Sequence, residues 1–494
     1  MSYPTRFTAP LTLLLLVAVV LAACGNPSPP PPPAAQAPTT VPTTVPTAAP
    51  TRAPVVAPQT ATPSPVPPTS LPEPTPEPPT PEPPTLEPPT LEPAPPTPEP
   101  VPAAPAVPDA PATGDGGNGG NGIPGAGGDS TEYSPLGYPI LATANLEFGA
   151  ASHLFYTDAE RVMILMQNAG FDWVRQQIHW RDIEWKEKDF GWEQLDQVVD
   201  TVDRAGLKLL ISIVRSPSFY TADGSDGLPA DPTKLGDFVE AMALRYGDKI
   251  AAYQIWNEQN LAHETGGTIS FEDAGRYVET LIEAYTRIKA VNPNAYVVTG
   301  ALSPTGHTDW SVSISDVEYL RAMYEYRGGI IRGYFDAQAA HAAGSANPPG
   351  TLYPDNPSDA AGWTDDATFY FRNIENVRRE MEAYGMGGHQ LWVTEFGWAT
   401  QNETPGYEYG NLVSYEQQGE YIREAVLMSH EKYPWLGALF VWNMNFAVTW
   451  NETNPPQPFH EQASFGVLNP DWSPRPAYLA LQDTIHAIKR ADGR

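Results

Sequence analysis

An α/β fold, eight parallel strands closed into a (β/α)8 TIM barrel, is what this sequence predicts for residues 129–494. Three observations predict it. Strand-like apolar runs alternate with helix-like runs, and alternation of this kind implies parallel strands joined by helical crossovers. There are eight of each, which favours a closed barrel over an open doubly wound sheet. Two of the runs deliver a glutamate at their ends, in Trp256-Asn257-Glu258 and in Thr394-Glu395-Phe396-Gly397. No Gly-rich phosphate loop follows the first strand, which argues against a nucleotide-binding sheet. A disordered Pro-rich stalk is expected ahead of the barrel.

The stretch before the barrel reads as an address and a tether. Arg6, the apolar run Leu11–Val20 and Leu21-Ala22-Ala23-Cys24 have the layout of an export signal, too short for a comfortable membrane span. The four residues ending in Cys24 resemble a bacterial lipobox, which implies cleavage after residue 23 and a lipid on Cys24. That is the only cysteine in the chain, so no intramolecular disulfide competes for it. Residues 24–128 are the expected linker. Pro, Thr, Ala, Glu and Gly dominate, and the five-residue repeat Thr75-Pro76-Glu77-Pro78-Pro79 recurs up to Ala94. Five such residues bury nothing, so the segment is a tether and not a solenoid. Proline keeps it extended, with a reach on the order of 200 Å if nearly straight. The expected location is the outer face of a bacterial cell membrane.

All 13 tryptophans lie between Trp173 and Trp472, so the core begins near Asp129. The expected strands are Ile140–Phe148, Trp173–His179, Lys208–Val214, Ala252–Trp256, Tyr296–Gly300, Phe335–Ala340, Gln390–Thr394 and Ala438–Trp442. The expected helices are Thr157–Ala169, Gln194–Ala205, Pro232–Tyr246, Phe271–Ala290, Asp316–Arg327, Ala367–Ala383, Tyr415–Glu431 and Arg475–Lys489. Thr157-Asp158 caps the first, and Gly170, Gly206, Gly247 and Gly385 stand where helices stop. With 58 acidic against 28 basic residues, the net charge of -30 argues against a nucleic-acid surface and a polybasic membrane patch.

In such a barrel the C-terminal strand ends share one cleft. Two carboxylates delivered there suit glycosidic bond cleavage: one protonates the leaving oxygen, the other attacks the sugar or activates water. The motifs around Glu258 and Glu395, with Trp180-Arg181-Asp182-Ile183-Glu184-Trp185 and Phe190-Gly191-Trp192, resemble the clan of retaining glycoside hydrolases built on (β/α)8 barrels. Families five, thirty-nine and forty-two are similar. The resemblance implies Glu258 as general acid/base and Glu395 as nucleophile, with environments that push their pKa values apart so that Glu258 starts protonated. It further implies Asn257 on the sugar 2-hydroxyl, Arg175 holding the nucleophile ionised, His341 as a cleft histidine and Trp442 as an aromatic floor.

One departure stands out. Strand six of many such enzymes carries His-x-Tyr, with the tyrosine on the nucleophile; here the segment is His341-Ala342-Ala343. Tyr370 and Tyr324 are the candidates to stand in. His179 and Trp180 are further candidates for the cleft wall, and Trp398, Trp310 and Trp450 for outer sugar subsites. Glu147, Glu184 and Glu264 are rival carboxylates without a matching motif. No metal motif and no cofactor signature is apparent, although a loop-bound structural calcium stays open. The expected function is retaining hydrolysis of O-glycosidic bonds in oligo- or polysaccharides. The rivals are a transglycosylase using the same residues and a non-catalytic glycan-binding protein. Sugar identity, endo or exo action and oligomeric state are not specified by the sequence.

Overall fold

The computed structural model describes residues 132–355 and 366–494. The signal peptide, the lipidation site Cys24 and the Pro-rich linker expected over residues 1–128 lie outside the described residues. Eight parallel strands form a closed barrel: β1 (Glu147–Ala151), β2 (Trp173–His179), β3 (Lys208–Val214), β4 (Ala252–Ile255), β5 (Tyr296–Thr299), β6 (Ala337–Ala343), β7 (Gln390–Gly397) and β8 (Leu436–Val441). Each pairs with its sequence neighbours, and β1 closes the ring against β8.

Crossover helices separate them: α1 (Ala159–Ala169), α2 (Glu193–Ala205), α3 (Pro232–Tyr246), α4 (Phe271–Val291), α5 (Asp316–Glu325), α6 (Ile374–Ala383) and α7 (Tyr415–Lys432), with α8 (Pro476–Ala491) after β8. Their ends follow local chemistry. Asp158 caps α1 by accepting from the Arg161 amide, and Ser270 with Asp273 and Ser414 with Gln417 make reciprocal capping boxes on α4 and α7. Gly170 and Gly206 close α1 and α2 in the left-handed conformation that lets backbone amides reach the last carbonyls. No described helix is long and apolar enough to cross a membrane.

The expected first strand is corrected by seven residues. Pairing begins only at Glu147, while the run before it folds under the barrel's N-terminal end. There the Leu141 amide donates to Asp336 at 2.8 Å and the Thr143 amide to Gln390 at 2.9 Å, so side chains satisfy this segment in place of a ladder. Residues 367–373 form two 3-10 turns ahead of α6, and a short hairpin (Glu184–Lys186 with Asp189–Phe190) interrupts the link from β2 to α2.

The barrel interior is filled, not hollow. Trp173, Leu210, Val298, Ala337, Ala339, Trp392 and Phe440 make an inner cluster, with the Trp173 and Trp392 rings 5.2 Å apart and near edge-on. Gly149 on β1 is the small residue that these rings require: a Cβ there would lie 2.4 Å from the Phe440 ring. Above this apolar layer the inward residues become polar (Arg175, Ser212, Gln254); Gln254 and Ser212 accept from Arg175, which lines the cleft at the C-terminal mouth.

Candidate active site

The cleft is lined from β1, β2 and β7 and from the segments that follow β1, β3, β4 and β8. Arg175, Asn257, Glu258, Glu395 and Trp442 all line it, so the structure brings together five of the six barrel residues singled out for the site. The sixth, His341, touches both glutamates.

Glu395 reaches the cleft through a bulge. Trp392 faces the barrel interior, and simple alternation would turn Thr394 inward and Glu395 outward. The register of β7 slips between Val393 and Glu395 against β6 and again between Val393 and Phe396 against β8. Thr394 is thus the extra residue, and Glu395 lands beside His341 on the inner face. Glu258 arrives differently. It stands three residues beyond β4, with Trp256 and Glu258 both at positive φ (70° and 51°), a conformation costly for residues with a Cβ. The Glu258 amide donates to the Ala301 carbonyl at 2.7 Å, and the Trp256 indole donates to the Glu264 carbonyl at 3.1 Å. These contacts hold the unusual turn.

The polar groups form a chain. Arg175 Nη1 donates to Glu395 Oε1 at 2.8 Å, Nη2 donates to Asn257 Oδ1 at 2.9 Å, and Nε donates to Gln254 Oε1 at 2.8 Å. His341 Nδ1 lies 3.0 Å from Glu258 Oε1, and its Nε2 lies 3.4 Å from Glu395 Oε1. One imidazole therefore faces both carboxylates. Burial pushes Glu395 above the ordinary carboxylate range against the pull of His341 and Arg175, and Glu258 adds to the push. Burial also raises Glu258, but the hydrogen bond and charge of His341, helped by His263 and Ser303, carry it below that range.

The values are pushed apart, but in the reverse of the expected order. The reason is the histidine, which stands closer to Glu258, at 3.0 Å, than to Glu395, at 3.4 Å. The Arg175 guanidinium sits on Glu395 at 2.8 Å and, with His341, pulls against the burial that raises its carboxyl.

The family model described as Cellulase (glycosyl hydrolase family 5) matches residues 140–438. The chain belongs to glycoside hydrolase family 5. No curated protein matches the chain in sequence. Among solved structures, a family 39 glycoside hydrolase from the gut symbiont Bacteroides cellulosilyticus WH2 is similar, with 19% identity and a TM-score of 0.50 over 70% of this chain and 64% of that one. A GH5_18 protein from Bifidobacterium longum subsp. infantis is similar at 13% identity and TM-score 0.50, covering 69% of this chain and 79% of that one. The chain thus spans less than two thirds of the family 39 protein, and at these identities the likeness is one of fold.

This family 5 chain differs from expectation in the aromatic positions. Trp180 is fully buried, stacked on Tyr220 and Phe238, and does not line the cleft. Trp398 is core, its indole donating to the Asn347 carbonyl at 2.8 Å. Trp450 is buried on His460, and Trp310 is half-exposed against Phe271 but is not a cleft-lining residue. His179 does line the cleft. Tyr324 donates to Gln338 at 2.9 Å and Tyr370 is buried against Tyr353, so neither lines the cleft in the place of the absent strand-six tyrosine.

The rival carboxylates separate clearly. Glu147 lies at the barrel's base with Trp173 and Lys208, and Glu184 is tied to Trp180 and Tyr220 at 2.6 and 2.8 Å. Glu264 lines the cleft. Sequence reasoning missed Arg215, His153, Gln177, Phe446 and Gln462 in the wall. Arg215 directly follows β3, so the rule that strand ends build the site was signal enough. His153 is half-buried, and desolvation pushes its imidazole down to about 4, so it is neutral at higher pH. Among the described residues no cluster of His, Cys, Asp and Glu is arranged to hold a metal ion.

Proposed function

We propose that this glycoside hydrolase cleaves O-glycosidic bonds of oligo- or polysaccharides with retention, through a covalent glycosyl-enzyme intermediate. The observation that carries the proposal is the chain Arg175–Glu395–His341–Glu258 at the mouth of a family 5 barrel. Glu395, kept anionic by Arg175, is the nucleophile. It attacks the anomeric carbon while Glu258 gives its proton to the departing oxygen. Once Glu395 is an ester its charge is gone, and Glu258 takes a proton from the water that hydrolyses the ester. Asn257, its side-chain oxygen taken up by Arg175, is left with its amide N–H to donate to the sugar 2-hydroxyl. Trp442 offers an indole face to the apolar side of the sugar ring. The proposal extends to the address: export by residues 1–23, lipid on Cys24, and a stalk over 24–128 that carries the catalytic domain outside the cell.

The test is turnover of a panel of aryl β-glycosides and polysaccharides by wild type, Glu395→Ala and Glu258→Gln, with the anomer of the first product read by NMR. The expected result is the retained anomer and losses on the order of 10³-fold or more for Glu395→Ala. An inverted product, or wild-type rates in Glu395→Ala, would refute the mechanism. Product formed only when a sugar acceptor is supplied would identify a transglycosylase.

A further inference from the structure

Opposite the proposed sugar floor stands a polar wall that the chemistry above does not use. In a ring of eight strands β8 and β4 lie across from each other, as do β7 and β3. The segment after β8 that carries Trp442 therefore lies across the ring from the loop that carries Glu264, and β7 with Glu395 across from β3 and Arg215; all four residues line the cleft. Arg215 is 3% exposed and held at φ 62°, in the left-handed region, directly after β3. Its Nη1 donates to Asp226 at 3.1 Å and to the His263 carbonyl at 2.8 Å; its Nη2 donates to Glu264 Oε1 at 3.0 Å. Glu264 is 7% exposed, and its Oε2 has no hydrogen-bond partner. A buried carboxylate oxygen left unpaired beside a cleft costs stability, so its persistence points to a donor that arrives with the ligand.

The charges around the cleft are one-sided. Glu258, Glu264 and Glu395 line it, against Arg175 and Arg215. Both cations are committed: Arg175 to Glu395, Arg215 to Asp226 and Glu264. His153 is neutral above about pH 4. A carboxylate or sulfate on the sugar would meet Glu264 as a like charge, whereas a hydroxyl can donate to it.

We infer that Arg215 and Glu264 are the specificity-determining pair of this cleft, reading hydroxyls of an uncharged hexose and rejecting the corresponding uronic acid. The inference rests on the sugar-binding part of the proposed function, not on the retaining mechanism. The guanidinium orients the Glu264 carboxylate, and the carboxylate discriminates. A site built to bond a hydroxyl rejects analogues that leave its polar groups unmatched far more strongly than an apolar pocket rejects a change in size.

Binding separates this from catalysis. Calorimetric titration of the full chain carrying Glu258→Gln, which leaves the Arg175–Glu395 pair in place, would use gluco-, manno- and galacto-oligosaccharides and their C6-oxidised uronic counterparts. The expected result is at least one neutral series bound about ten-fold or more tightly than its acidic partner. Adding Glu264→Gln should weaken the neutral sugar and shrink the gap to about three-fold or less, with thermal unfolding confirming a folded protein. Should Glu264→Gln not fold, Glu264→Asp, which shortens the arm and keeps the charge, should weaken the neutral sugar while the acidic one stays excluded. Equal or tighter binding of the acidic sugar, no binding of any neutral one, or an unchanged gap in the Glu264 variants would overturn the inference. Discrimination without turnover in the wild type would leave this pair standing and sink the mechanism.

Discussion

At the scale of single residues, the barrel places charges where water cannot reach them, and each has a stated partner or a measurable cost. Arg175 is 1% exposed yet spends its donors on Glu395, Asn257, Gln254 and Ser212, which is how an ion can remain in a barrel floor. Asp316, the first residue of α5, is the contrasting case. Asn373 donates to one oxygen at 3.1 Å, the other has no partner, and burial pushes the carboxyl from its ordinary 3.8 up to about 6. The folded state therefore holds its proton more tightly than the unfolded chain. The stabilisation this gives is complete below about pH 4 and is lost as pH rises through 6. Asp316→Asn should raise the melting temperature above pH 6, by on the order of 2–3 kcal/mol in stability, with no advantage left near pH 3.5. Thermal melts across that range check it, and a variant less stable at every pH would show the charge is compensated in a way its contacts do not reveal.

At the scale of elements, the decisive feature is the bulge in β7. The side-chain period of a strand is two, so one inserted residue exchanges the two faces from that point on. Thr394 is that residue, and its hydroxyl is buried without a hydrogen-bond partner. Its contribution lies in the backbone, not in its side chain. Thr394→Val should keep kcat within about two-fold and leave stability equal or slightly higher, because an unmatched hydroxyl is replaced by a methyl. Steady-state kinetics and melting curves on the purified variant test this. A large loss of activity with an intact fold would mean the hydroxyl takes part in the site. The helix caps, by contrast, follow from neighbours a few residues apart. Ser270 with Asp273, Ser414 with Gln417 and Pro at the start of α3 and α8 act within one turn of chain, as does Asp158, the cap expected from the sequence.

At the scale of the whole molecule, chemistry and stability occupy opposite ends of the barrel. The Arg175–Glu395–His341–Glu258 chain sits at the C-terminal mouth, while the N-terminal base is closed by a fully buried pair, Lys289 Nζ and Asp336 Oδ2 at 2.9 Å. Asp336 also accepts from the Leu141 and Val297 amides at 2.8 and 2.7 Å, tying the segment before β1 and strand β5 to β6. Removing one member leaves the other charge stranded. Lys289→Met should cost about 3–5 kcal/mol of unfolding free energy with kcat/KM at 25 °C unchanged, as read by denaturant titration beside kinetics. A variant as stable as wild type would show that the two amides alone suffice for Asp336.

The alternation of runs, the count of eight, the Asn257-Glu258 and Glu395 motifs and the helix ends were all present in the sequence, because each depends on periodicity or on residues close along the chain. The sequence therefore determined the barrel and the identity of its two central carboxylates. It did not determine where β1 begins, since Leu141 and Thr143 satisfy their amides on Asp336 and Gln390 from distant strands. It did not separate the buried Trp180 and Trp398 from a sugar-facing tryptophan, since both kinds sit in the same apolar context. Nor did it join His341 to both glutamates, or Arg215 to Glu264. Those contacts link β6 to the ends of β4 and β7, and β3 to the loop beyond β4. Closure of the ring is what brings them within hydrogen-bond reach, and only the tertiary structure decides which charged groups share a dry cleft and which face water.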